Sequence, residues 1–162
     1  MAAGVVEAIF LAPAAGIRPS GVAGARAVAG RGLEGDRYFE DAGTWSRYRP
    51  DRAGEDLTLV EAETLEALAR AGVPVHAADM RRNVITRGIA LRELVGRRFS
   101  VGSLECYGDR PCDPCRHLER LTRPGLLSVL APLGGGLRAN ILADGRIEVG
   151  DPVRALEPPP VR

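Results

Sequence analysis

All three cysteines of this 162-residue chain fall within residues 106–119, which read Cys-Tyr-Gly-Asp-Arg-Pro-Cys-Asp-Pro-Cys-Arg-His-Leu-Glu. Cys106, Cys112 and Cys115 are joined there by His117, one of only two histidines. Three chemistries suit these residue types. Three thiols and an imidazole can close a tetrahedral zinc site, although structural zinc is usually held by two separated ligand pairs and no second pair occurs elsewhere. Cys112-Asp-Pro-Cys115 has the spacing of a thiol–disulfide redox pair, but such a pair normally opens a helix within a βαβ unit, and the pattern predicts none. In the third, one cysteine acts alone as a soft ligand or nucleophile. Cys115 follows Pro114 and precedes an expected helix, where backbone N–H groups and nearby Arg110 and Arg116 would favour the thiolate. Cys106, in phase with Leu104, reads as a core cysteine.

The rest of the chain must position this segment. Its length suits one domain, expected over residues 1–153, with a proline-rich tail over 154–162. Hydrophobic residues make up 45%, enough for a core that needs no cross-link, and aromatic residues only 4%, so Val, Leu, Ile and Ala must fill it. The net charge of +1 gives no global attraction to nucleic acid or an anionic membrane, and neither is an expected partner. No lysine is present, so all 22 basic residues are arginines, whose planar forks suit phosphate and carboxylate. No early basic run or long apolar segment marks a signal peptide or a membrane span, so the cytoplasm is the expected compartment. In that reducing setting, clustered cysteines read as ligands or reactive thiols rather than a disulfide framework.

Apolar runs and glycine or proline punctuation predict strands over residues 5–11, 22–29, 57–60 and 81–86, and a hairpin over 99–107. A closing hairpin is predicted over 137–149, with its turn at Asp144-Gly145. Leu65 and Leu68, with acidic residues before them and Gly72 and Pro74 after, predict a helix over 61–71. Shorter helices are expected at 91–95, 116–121 and 124–130, the last ended by glycines 134–136. Residues 30–37 hold three closely spaced glycines and predict a sharply bent loop, and 38–55 an irregular one. Many short strands with few helices predict a mainly β fold, a closed or semi-closed barrel with a few short helices.

Five stretches taken in order resemble the MOSC domain, the module found at the C-terminus of molybdenum cofactor sulfurases and as stand-alone bacterial proteins. They are Gly32-Leu-Glu-Gly-Asp36-Arg37, Leu57-Thr-Leu-Val-Glu-Ala-Glu63, Arg81-Arg-Asn-Val-Ile-Thr86 with Leu94 to Gly102, Arg110-Pro-Cys-Asp-Pro-Cys115-x-His-Leu-Glu119, and Ile147-Glu-Val-Gly-Asp151. Tyr38 stands where the family pattern often has His. The resemblance implies a β-barrel-like fold and a key cysteine, Cys115, that ligates molybdenum or carries sulfur as a persulfide. It implies the molybdenum cofactor as the bound group and reduction of small N-hydroxylated compounds as the activity. Electrons would come from a separate reductase. The alternative it implies is a non-catalytic sulfur carrier or cofactor-delivery module served by a cysteine desulfurase. PLP is not expected in this chain, because the sulfurase's PLP-dependent domain has no counterpart in the matching stretches.

On this reading Arg81, Arg82 and Asn83 hold the pterin's phosphate or ring edge, as donors suited to it, and Arg110 flanks the cysteine. Asp36 bonds the pterin or ties down the glycine loop, with Glu34 open to the same two roles. His117 is a proton donor or caps its loop. Glu119 pairs with an arginine, His76 is a surface residue, and Trp45 is a candidate for a pocket wall.

Overall fold

The computed structural model describes residues 3–44, 46 and 51–158; Trp45 lies outside the described residues. Strand β1, Gly4–Leu11, buries Val6 and Ile9 in the core, and an irregularity in its pairing with β6 between Val6 and Ala8 brings these two residues, three apart, to the same face. Strands β2 (Ser20–Val22), β3 (Gly24–Val28) and β4 (Gly32–Leu33) follow. Next come β5 (Leu57–Glu61), helix α1 (Ala62–Arg70) and β6 (Val84–Arg87). Then β7 (Arg98–Val101) and β8 (Leu104–Pro111) form the expected hairpin, and helices α2 (Arg116–Leu121) and α3 (Leu126–Leu133) follow it. The chain continues through β9 (Leu137–Ile141), β10 (Gly145–Glu148) and β11 (Pro152–Ala155). That last strand runs two residues past the expected start of the tail.

Seven strands of an eight-stranded sheet run in the order β11-β7-β8-β9-β5-β6-β1, β1 returns to pair with β11, and β2 adds to β1 outside this ring. Gly4 opposite Val153 and Val5 opposite Pro152 close the barrel, which removes the open edges that a flat sheet would leave. The fold is therefore mainly β, as expected, with three short α-helices among the described residues. A separate sheet of β10, β3 and β4 covers one side, and its Ala25, Ala27, Leu33 and Ile147 join the barrel core. A second apolar cluster lies outside the barrel wall, where α1, α2 and α3 pack Leu68, Leu118, Leu126 and Leu130 against Val60 and Ile85. This explains the unbroken apolar runs of β5 and β6: Leu59 and Val84 face in, Val60 and Ile85 face the helices.

Three expectations are corrected. Residues 137–149 are not a hairpin: β9 pairs with β8 and β5, while β10 pairs with β3. Asp144 Oδ1 accepts from the Ala29 N–H (2.9 Å), which ties the segment before β10 to the end of β3 instead of closing a local turn. Residues 81–83 are not strand, because Arg81 is left-handed (φ 59°) and turns the chain before β6 begins. A βαβ unit does exist, since β5 and β6 are parallel and joined through α1, but its helix is not the one that follows Cys115, which is α2.

Candidate active site

Asp36 is buried beneath the site and holds its glycine loop together. Its carboxylate accepts from the Ala12 N–H (3.0 Å), the Tyr38 N–H (3.3 Å) and Arg37 Nη1 (3.3 Å). The loop is thereby tied to the end of β1, and Asp36 does not line the cavity described below. Arg37 lies over the Tyr38 ring at 4.5 Å and donates Nη2 to the Arg81 carbonyl at 3.2 Å. Glu34 is exposed and pairs with Arg26.

The left-handed turn at Arg81 sends successive side chains in three directions. Arg81 donates Nη1 to the Ile17 carbonyl (2.8 Å), and burial, reinforced by the charge of Arg37, lowers its pKa from the ordinary arginine value. Arg82 donates Nε to the Gly135 carbonyl (2.9 Å) and Nη1 to the Met80 carbonyl (3.3 Å). Asn83 turns into the barrel wall. Its Oδ1 accepts from both Thr58 N–H and Oγ1 (3.1 Å each), and its Nδ2 donates to the Phe10 carbonyl (3.2 Å). Asn83 thus pins β5 to β1 and stays away from the cavity.

The cysteines separate by environment. Cys106 is fully buried in the barrel core, and burial, with Asp56 nearby, pushes its thiol up to about 12. Cys112 is buried just past the end of β8, where its N–H donates to the Gly136 carbonyl at 2.8 Å and prolongs the ladder to β9. A Cβ on Gly135 would overlap the Cys112 carbonyl oxygen, so glycine is required for the two segments to approach this closely. Cys115 is half-buried at the N-terminal boundary of α2, packed on its inner side against the outer apolar cluster. All three are free thiols.

Cys112 and Cys115 line one cavity of about 220 Å³ with His117. Among the described residues its walls carry five arginines, Arg37, Arg81, Arg82, Arg110 and Arg138, and one carboxylate, Asp113. The sequence-predicted residues Cys115, His117, Arg81, Arg82 and Arg110 are thus brought together, while Asp36 and Asn83 stand behind the wall. Among the described residues Glu119 pairs with no arginine; its carboxylate accepts from the Leu127 N–H (2.7 Å) and fixes the start of α3. His76 Nδ1 accepts from the Ala78 N–H (3.1 Å) and caps a 3₁₀ turn over Ala77–Met80.

Sequence reasoning missed Arg37, Tyr38, Cys112 and Arg138 as lining residues. Arg138 had a usable signal: an arginine between Leu137 and Ala139, in a strand whose alternate residues are buried, faces whatever the other side of the wall encloses. Burial alone would lower the pKa of its guanidinium, but Cys112, Tyr38 and Glu55 more than offset that and hold it above the ordinary value. Its side chain hydrogen-bonds to Tyr38, while its Nη1 is buried with no acceptor among the described residues. Among the described residues, no three His, Cys, Asp or Glu side chains are placed to hold a metal ion, so the tetrahedral zinc arrangement does not form. What the cavity offers is a single reachable thiol, a neighbouring imidazole and a wall of guanidinium donors.

No helix among the described residues is long and apolar enough to cross a membrane. No curated protein matches the sequence. Solved structures do share the fold. The YuaD protein of Bacillus subtilis superposes with a TM-score of 0.75 at 18% identity, covering 97% of this chain and 98% of that one. YiiM of Geobacillus stearothermophilus gives 0.67 at 16% identity, covering 95% and 75%, and YiiM of Escherichia coli 0.66 at 18%, covering 98% and 71%. The family model described as the MOSC domain matches residues 46–154.

Proposed function

Because this chain belongs to the MOSC domain family, we propose that its arginine-walled cavity binds the molybdenum cofactor and that the loaded protein is an oxidoreductase. Its substrates are small N-hydroxylated compounds, and its electrons come from a separate reductase. One observation carries the proposal: the half-buried thiol of Cys115 opens into the same cavity as five guanidinium groups.

The donor set fits the group. A thiolate is the soft ligand such a metal favours, and arginine forks suit the phosphate of the pterin. The buried Arg138 Nη1, which has no acceptor among the described residues, is satisfied by an anionic oxygen in the cavity. When bound, the cofactor supplies a metal centre that cycles between two oxidation levels. The chain's own residues do the rest. Cys115 Sγ ligates the metal. Arg81, Arg82 and Arg110 orient anionic groups. His117, on the same wall, delivers a proton from its imidazole toward the departing hydroxyl. Reduction of N–OH to N–H takes up two electrons and two protons and releases water. Asp36 and Asn83 support the walls from behind and contribute through rigidity.

Expression with molybdate followed by elemental analysis tests this. Near-stoichiometric molybdenum in the wild type, lost in Cys115→Ala, is the expected result. A folded wild type that takes up no molybdenum in a host that makes the cofactor would refute it. A second reading, a persulfide carrier, is favoured by the second thiol, Cys112, in the same cavity. It predicts a mass increment of one sulfur on Cys115 after incubation with a cysteine desulfurase and cysteine, and none in Cys115→Ala.

A further inference from the structure

Arg110 and Arg138 face each other as register partners across the β8–β9 ladder, and both line the cavity. Like charges directly opposite on paired strands repel. Arg110 is partly relieved by Asp109 and by the Ala53 carbonyl, to which its Nη1 donates at 2.7 Å. Arg138 is relieved in part: Cys112, Tyr38 and Glu55 favour its charge, and Tyr38 hydrogen-bonds its side chain. Among the described residues, however, no carboxylate lies within ion-pair distance of it, and its Nη1 is buried without an acceptor. Glu55 acts on it through space, and that carboxylate accepts its hydrogen bond from Ser46 Oγ (3.1 Å). An unsatisfied buried donor therefore lies on the cavity beside a second guanidinium, and an oxyanion set between the two satisfies it.

We propose that Arg110 and Arg138 form an oxyanion clamp that takes the phosphate or carboxylate group of a ligand in this cavity. The clamp rests on the reading that the Cys115 cavity is the reaction site, and it adds an acidic group to what that site recognises. The oxyanion has two possible sources with the same chemistry: an acidic group on the substrate, or the phosphate of the bound cofactor.

Inorganic phosphate is the probe, titrated calorimetrically into purified protein free of molybdenum. The wild type is expected to bind it, and Arg138→Met to bind it at least about tenfold more weakly, the effect of removing a charge-assisted hydrogen bond from a buried site. Arg110→Gln should weaken binding in the same direction. Arg146→Gln, which removes an exposed charge from β10, should leave it unchanged. If Arg138→Met does not fold, as read by circular dichroism, Arg110→Gln carries the test. A wild type that binds no phosphate overturns the clamp, as does a folded clamp variant that binds it as tightly as the wild type. Molybdenum loading distinguishes the sources: full loading of Arg138→Met with phosphate binding lost assigns the clamp to the substrate's acidic group, and loss of both assigns it to the cofactor. Phosphate bound by a protein that never loads molybdenum supports the clamp and sinks the proposed activity; loading without phosphate binding does the reverse.

Discussion

Gly135→Ala is the substitution that most directly probes how the site is held. A methyl group there would overlap the carbonyl oxygen of Cys112 and come within 3.0 Å of the Pro114 nitrogen, and both are main-chain atoms that cannot rotate aside. The loop carrying Cys112 or the segment carrying Gly135 must therefore shift by roughly 1 Å to reach ordinary contact distance. Any such shift strains two further bonds: the Arg82 Nε–H bond to the Gly135 carbonyl, and the Cys112 N–H bond to the Gly136 carbonyl. Overpacking of this kind costs about 1–3 kcal/mol, or roughly 2–10 °C in Tm for a chain of this size. Denaturant titration reads the stability, and the alkylation rate of Cys112 in the native protein reads the displacement. Gly72→Ala is the control: its glycine has positive φ (82°) but open space around it, so it costs stability through backbone strain alone. The expected outcome is lower stability in both variants and faster Cys112 alkylation only in Gly135→Ala. If Gly135→Ala melts within 1 °C or so of the wild type and its Cys112 stays protected, the close approach of these segments has been misread.

Asn83→Ala should lower stability by about 2–4 kcal/mol, since it leaves the Thr58 N–H and the Phe10 carbonyl unpaired in the barrel wall. Phosphate affinity of the folded fraction should be unchanged; an affinity loss comparable to that of Arg138→Met would place Asn83 in the site after all. Cys106 should resist alkylation at pH 8, where a thiol pushed up to about 12 is ionised in about one molecule in 10⁴, against about one in ten for an ordinary thiol. The same shift has a linkage consequence. The native state keeps this proton above pH 9, while the unfolded chain releases it there. Cys106 therefore contributes stability that is fully present below pH 9 and is lost at about 1.4 kcal/mol per pH unit as pH rises toward 12. Comparing the pH dependence of unfolding in the wild type and Cys106→Ala checks this; identical slopes would contradict it.

The barrel was legible where one strand carried its own pattern. β1, β5 and the β7–β8 hairpin announce themselves through alternation, β-branched residues and a Gly-Ser turn. It was illegible where pairing is decided at long range. Asp144-Gly145 looks like a hairpin turn, but the partners of β9 and β10 lie in different sheets, and nothing local encodes that choice. β11 begins at the proline of a Gly-Asp-Pro sequence that reads as a turn, and only its register with β1 and β7 makes it a strand. At the site, Cys115, His117 and the neighbouring arginines were visible because their chemistry is uncommon and clustered. Arg138 and Gly135 were not, because each matters through a neighbour remote in sequence: Arg110 across a ladder, and the Cys112 carbonyl across a gap too small for a methyl group.

The seam of the barrel joins residues remote in sequence, Gly4 and Val5 against Pro152 and Val153. Pairing at such separation is slow to form, so β1 keeps one edge unpaired until β11 reaches it. The described residues that wall the arginine-lined opening lie between Arg37 and Arg138, outside that seam. A fault in the closing pair would therefore loosen the ring without removing a single group from the opening.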